Sequence, residues 1–122
     1  MRRWICAVVA ALTMTVSTAQ AEGETVTLIN VFEVPEGQLE ASVAFWKESR
    51  DFLQTQPGYV STALHQSIAP DAKFMLVNVA EWESAAAFKA ASENMMKTSG
   101  IKPVEGLGFN AGLYTVIARE DD

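Results

Sequence analysis

The strand-forming segments of this chain are apolar on both faces, and that restricts its possible folds more than any other feature. In a strand, alternate residues share a face. Within TLINVFEV (Thr27 to Val34), Leu28 and Phe32 point one way, while Ile29, Val31 and the methyl of Thr27 point the other. Within FMLVNVAEW (Phe74 to Trp82), Phe74, Leu76, Asn78, Ala80 and Trp82 line one side, and Met75, Val77 and Val79 line the opposite one. A sheet built from such strands needs a cover on each side.

The intervening segments supply one of those covers. PEGQLEASVAFWKESRDFLQTQPG places Leu39, Val43, Trp46, Arg50 and Leu53 at intervals of three and four, which predicts an amphipathic helix ended by Pro57-Gly58. YVSTALHQS (Tyr59 to Ser67) reads as a second strand with Tyr59, Ser61, Ala63 and His65 on one side, and APDAK as a turn. The third strand follows from Lys73. Ser84 is an N-cap type opening SAAAFKAASENMMK, a helix with Phe88, Ala91 and Met95 on one face. SGIKPVEGLGFNAG reads as a connection, and GLYTVIARE (Gly112 to Glu120) as a fourth strand.

The order is β-α-β-β-α-β, so the expected class is α+β: a ferredoxin-like fold with a four-stranded antiparallel sheet and two helices on one face. Two helices cover one face only. A second copy of the chain is expected on the other, giving a homodimer.

Residues 1–21 are set apart from this fold. Arg2 and Arg3 precede the apolar run Trp4 to Val16, and the Ala-x-Ala site of STAQA follows, which is the pattern of a cleavable signal peptide. The run is shorter than the roughly 18 to 20 residues of a membrane-spanning helix. Cleavage after Ala21 would leave residues 22–122 as one small domain, periplasmic or secreted, with no membrane association. Cys6, the only cysteine, would leave with the signal, so neither a disulfide nor a thiol nucleophile is expected. The remaining chain carries seven Lys and Arg against 15 Asp and Glu, a net of −8. That balance argues against nucleic acid as a partner.

With these elements placed, LINVFEVPEGQLEASVAFWK, QPGYVSTALHQS, FMLVNVAEWESAAAF and the terminal LYTVI resemble the antibiotic biosynthesis monooxygenase (ABM) family, over roughly Val26 to Ile117. The resemblance implies a dimeric α/β barrel in which two ferredoxin-like subunits pack sheet to sheet. The chemistry it implies is mixed. Some members oxidise phenolic precursors with molecular oxygen and no cofactor, others degrade haem, and many have no assigned activity.

The phenol-oxidising members resemble this chain at Asn78 and Trp82, whose amide and indole N–H groups are donor types suited to an oxyanion. Where those relatives have a tyrosine six residues later, this chain has Phe88. The haem-degrading members resemble it at Asn30. Their tryptophan and histidine positions fall near Ala91 and Ile101, which supply no axial ligand. No cofactor and no metal cluster are therefore expected.

Each candidate also has an ordinary structural use. Asn78 either donates to a substrate, pins a bulge, or pairs with Asn30 across adjacent strands. Trp82 either lines a pocket mouth or packs the sheet against its helices. His65 is the only histidine, the residue type suited to proton transfer near neutral pH, but a histidine beside a turn is commonly a surface residue. Trp46 and Arg50 either stack beside the pocket or pack as any amphipathic helix does. Met95 and Met96 either form a lid or fill gaps in the core.

The candidate catalytic residues are thus Asn78, Trp82 and His65, and the candidate substrate-binding residues are Asn30, Phe32, Trp46 and Phe88. Two functions fit this set: a cofactor-independent monooxygenase acting on a small aromatic or enolic substrate, or a non-catalytic dimer that binds a small apolar molecule. A dimer of purely structural use would instead have a closed, unoccupied cavity.

Overall fold

The computed structural model describes residues 24–122, so the expected signal peptide lies outside the described residues. Six elements follow in the expected order: β1 (Val26–Glu33), α1 (Leu39–Leu53), β2 (Tyr59–Gln66), β3 (Leu76–Trp82), α2 (Ala85–Thr98) and β4 (Gly108–Tyr114). The strands form one antiparallel sheet in the order β2-β3-β1-β4. This is the ferredoxin-like arrangement, with the chain's two central strands supplied by β1 and β3. Among the described residues no helix is long and apolar enough to cross a membrane.

Local signals set most of these boundaries. Ser84 caps α2, its hydroxyl accepting from the Ala87 backbone N–H at 3.1 Å. Beyond α1, Gly58 takes φ +89°, and a Cβ there would collide with the Ala87 side chain, so glycine alone lets the chain turn beneath α2.

Three expectations need correction, each for a reason visible in the pairing. The fourth strand runs over Gly108–Tyr114 rather than Gly112 to Glu120. It can pair only where β1 offers partners, from Glu33 opposite Gly108 to Thr27 opposite Tyr114, and the apolar TVIA beyond overhangs the sheet. The third strand starts at Leu76, not Lys73. APDAK therefore belongs to a longer loop, closed by the Ser67 N–H donating to the Met75 carbonyl at 2.9 Å.

The third correction concerns β2. An irregularity between Tyr59 and Ser61 inserts Val60 as an extra residue. Tyr59 is thereby turned to the opposite face from Ser61, Ala63 and His65, and packs edge-on against Trp82 with ring centroids 5.6 Å apart. On α1 the expected stripe faces the core, with Leu39, Val43, Trp46 and Leu53 packed against its two clusters, and Ser42 and Ser49 are buried as well.

The core lies between one sheet face and the helices, and it is divided. One cluster gathers Val26, Leu28, Ala80, Trp82 and Ala91, and the other gathers Phe32, Leu76 and Leu107. The opposite sheet face carries Ile29, Val31, Val77 and Val79, half-buried with no helix over them.

Candidate functional site

The division between the two core clusters is polar. On β1, Asn30 lies between Leu28 and Phe32; on β3, Asn78 lies between Leu76 and Ala80. The two asparagines face each other directly in the β1–β3 register. Opposed residues on one sheet face have Cβ atoms about 5 Å apart. Parity therefore puts two carboxamides side by side, on the face covered by the helices.

Asn78 is 8% exposed, and its surroundings satisfy it on one side only. Its Oδ1 accepts the Trp46 indole N–H at 3.0 Å, reaching down from α1. The same oxygen accepts the Thr62 hydroxyl at 2.7 Å, from the neighbouring β2. Asn30 repeats the pattern, its Oδ1 accepting the Asn110 backbone N–H at 3.1 Å. Among the described residues neither Nδ2 has a protein acceptor. Neither is sealed away, because Ser42 Oγ is the one fully buried side-chain polar atom there without a partner. Two pairs of amide N–H donors are thus available at the gap in the core.

Access to this gap is from the β4 side. Phe109 and Leu113 share the helix-facing side of β4 but are 45% and 39% exposed. Phe109 meets Phe32 and Phe45 edge-on, at centroid distances of 5.5 and 5.8 Å, forming an aromatic wall beside Asn30. We refer to the break between the two core clusters, with its two amides and this aromatic flank, as the trough. Two surface hollows of about 400 and 720 Å³ lie elsewhere and contain neither asparagine. The first hollow does pair two carboxamides, but there the Asn94 amide N–H is spent on Gln56 Oε1 at 2.9 Å, so the candidate site is placed at the trough, whose amide donors have no protein acceptor among the described residues.

The structure does not gather every candidate residue here. Trp82 shares the face of Asn78, but four residues of strand separate their Cα atoms by about 13 Å. The two side chains cannot converge on one oxygen. Trp82 is instead 1% exposed, held between Tyr59 and Phe88 at centroid distances of 5.6 and 5.7 Å. Phe88 belongs to that same packing cluster. His65 is paired with Val77 on the opposite face of the sheet, exposed, with Nδ1 3.3 Å from the Val77 carbonyl oxygen. Phe32 is buried at 3% and forms the inner end of the aromatic wall.

Trp46 is in the site through its bond to Asn78, and the Arg50 guanidinium sits 5.5 Å from its ring centroid, one turn along α1. Residue-by-residue reading of the sequence missed Thr62, Phe45, Phe109 and the buried serines Ser42 and Ser49. The strand-order rule could have found Thr62, since β2 must lie beside β3. Nothing in the local sequence marks Phe109, because its strand reads there as a glycine-rich connection.

The domain is thus ferredoxin-like, with two amides at a polar break in its core beside an aromatic wall. The antibiotic biosynthesis monooxygenase family matches residues 25–95, more than half of the chain, and the protein belongs to that family. Among solved structures, it is similar to a candidate monooxygenase from Shewanella loihica PV-4, with 48% identity and a TM-score of 0.73 over 79% of this chain and 97% of that one. It shares its fold with SnoaB, a cofactor-independent oxygenase from Streptomyces nogalater, at 22% identity and a TM-score of 0.60 over 81% and 99% of the two chains. It also shares it with an MhuD variant crystallised with two manganese protoporphyrin IX molecules per active site, at 22% identity and a TM-score of 0.62 over 77% and 96%. No curated protein matches the chain. The family and the 48%-identical Shewanella loihica neighbour support a monooxygenase-type function.

Proposed function

We propose that the protein is a cofactor-independent oxygenase that oxidises a small electron-rich aromatic or enolic compound with molecular oxygen. The observation that carries this reading is the pair of opposed amides, Asn78 and Asn30, whose oxygens are bonded while their N–H groups have no protein acceptor among the described residues. A small domain has little core to spare, and interrupting it with polar groups costs stability that a purely structural protein would not give up.

In such a reaction the substrate loses a proton to become a phenolate or enolate, and that anion transfers an electron to oxygen. With a substrate of the anthrone type, a carbon bearing two hydrogens is converted to a carbonyl, one oxygen atom ending in the product and the other in water. A hydroquinone or catechol instead gives up two electrons and two protons to oxygen, forming the quinone and hydrogen peroxide. The protein's part is to hold the anion's oxygen with N–H donors and exclude competing water. The test is oxygen uptake by the purified protein with a panel of anthrones, hydroquinones and catechols, autoxidation subtracted. Uptake above autoxidation that requires Asn78 is the expected result, and its absence across compounds that bind overturns the enzyme.

A second reading has its own observation. Asn78 and Asn30 are bonded to Trp46, Thr62 and the Asn110 backbone, and among the described residues no titratable group is bonded to either. With Phe88 in the packing cluster and His65 on the far face, proton removal falls to substrates that ionise readily by themselves. A protein binding such molecules without turnover has the same site, and binding without uptake would identify it. In the oxygenase reading, His65→Ala leaves the rate within about twofold, because a group across the sheet cannot reach the trough.

A homodimer and export belong to the same proposal. The half-buried Ile29, Val31, Val77 and Val79 face calls for a second sheet across it, as the two-faced strands require. Sedimentation velocity is expected to show a dimer, and Val31→Glu, a charge at the centre of that face, a monomer. Residues 1–21 would direct export and be removed, which the N-terminal mass of the protein from a periplasmic extract would read.

A further inference from the structure

We propose that Thr62 is a positioning residue that, with Trp46, locks the Asn78 carboxamide with its NH₂ edge toward the ligand, so that the site takes an oxygen that accepts hydrogen bonds and disfavours one that must donate. The inference rests on the reading of Asn78 as the ligand-binding amide.

Amide orientation is ordinarily ambiguous, because oxygen and nitrogen look alike in shape. Here a chemical constraint decides it. The indole nitrogen of Trp46 is a donor only, so the Asn78 atom 3.0 Å from it has to be the oxygen. Thr62, whose hydroxyl can donate or accept, then has an oxygen 2.7 Å away and must donate. Turning the amide over would set its NH₂ against the indole N–H and break that bond, and would force the Thr62 hydroxyl to accept instead of donate.

Thr62 is placed for this by register. Leu64 is the direct partner of Asn78 and Thr62 the direct partner of Ala80, so Thr62 is the diagonal neighbour of Asn78 on the same face. Its hydroxyl reaches sideways, while the indole descends from α1. Asn30 has the same polarity from an independent source, since the Asn110 backbone N–H is also a donor and also meets Oδ1. Three donors from three elements thus hold two amides in one sense. A ligand arriving at the trough meets N–H groups from both.

The ligand class follows from that sense. A phenolate, an enolate or a carbonyl accepts from both asparagines, while a neutral hydroxyl must turn its own proton elsewhere. The locked amides therefore favour the ionised form of a phenol and lower the pH at which it ionises when bound.

The experiment uses 2-naphthol as the probe and naphthalene as its hydrocarbon counterpart. Ionisation of bound naphthol is followed by absorbance across pH in wild type, Thr62→Val, Thr62→Ser and Asn78→Ala. Wild type is expected to lower the midpoint relative to free naphthol. Thr62→Val, which keeps the side-chain shape but loses the hydroxyl, should return it by about one pH unit, a tenfold loss of preference for the anion. Thr62→Ser should restore the wild-type midpoint, and naphthalene affinity should stay within about twofold throughout.

A Thr62→Val midpoint equal to wild type, with Asn78→Ala shifted, overturns the lock and leaves the Asn78 reading standing. No lowering in wild type, or none lost in Asn78→Ala, overturns the Asn78 reading and the lock with it. The lock is also measurable without ligand, through the rotation rate of the Asn78 side-chain NH₂ by nuclear magnetic resonance. Faster rotation in Thr62→Val supports the lock, and equal rates in the two proteins overturn it whether or not naphthol binds.

Discussion

Trp82→Ala is expected to destabilise the protein by about 3 to 5 kcal/mol, a large share of the roughly 5 to 15 kcal/mol available to a domain of this size. The indole is 1% exposed and is the largest side chain buried below 2%. Its edge-on contacts with Tyr59 and Phe88 join β2, β3 and α2 in one cluster. Alanine would leave a cavity that a four-stranded sheet cannot collapse around, because the backbone on either side is fixed by ladder bonds to β1 and β2. Equilibrium urea unfolding would measure the loss as a lowered midpoint.

Substitution at the same position separates the two uses of Trp82. A ligand-donating tryptophan, replaced by phenylalanine, would lose activity while keeping most of its stability. A packing tryptophan does the reverse, and the about 13 Å of strand between it and Asn78 favours that result. Trp82→Phe is therefore expected to lower the unfolding midpoint while the remaining folded protein keeps its oxygen uptake.

Asn78→Ala carries the largest expected effect on activity. Removing one preorganised donor to a developing oxyanion typically costs about 3 kcal/mol in the barrier, on the order of a hundredfold in rate. Here the loss has a structural component as well, since the Trp46 indole N–H and the Thr62 hydroxyl lose their shared acceptor. Leaving buried donors unpaired costs about 1 to 3 kcal/mol each. Initial rates per folded molecule, with the folded fraction taken from near-ultraviolet circular dichroism, keep the two effects apart. Asn78→Asp sharpens the test. The carboxylate can still accept from Trp46 and Thr62, but it offers no N–H and sets a negative charge beside the substrate anion. Its uptake should fall at least as far as that of Asn78→Ala while its stability falls less.

These expectations differ from what the chain's own periodicity suggests, and the differences are local. Asn78 and Asn30 were identifiable as amides among apolar strand neighbours, and their pairing follows once β1 and β3 are known to be adjacent. Trp82 was equally prominent in sequence, yet parity alone cannot tell a residue at one end of a strand from one in its middle. Distance along the strand separates the site from the core, and it becomes decisive only when the ligand must be held at a single oxygen. Thr62 was hidden because its role depends on the pairing of β2 with β3, sixteen residues away in the chain. Phe109 was hidden because its strand is made by the partner it pairs with rather than by its own propensity.

The sequence by itself determined the order of the elements, the cap of α2 by Ser84 and the two apolar faces of the central strands. These rest on near-neighbour physics: alternation along a strand, helical spacing, and a hydroxyl three residues before an unpaired N–H. Only the tertiary structure decided which face holds the site, where β4 begins, and that Tyr59 and His65 lie on opposite sides of the sheet. It also decided which edge of Asn78 faces outward. Each of those depends on a partner far away in the chain: the length of β1, the extra residue at Val60, and an indole from α1 that can only donate.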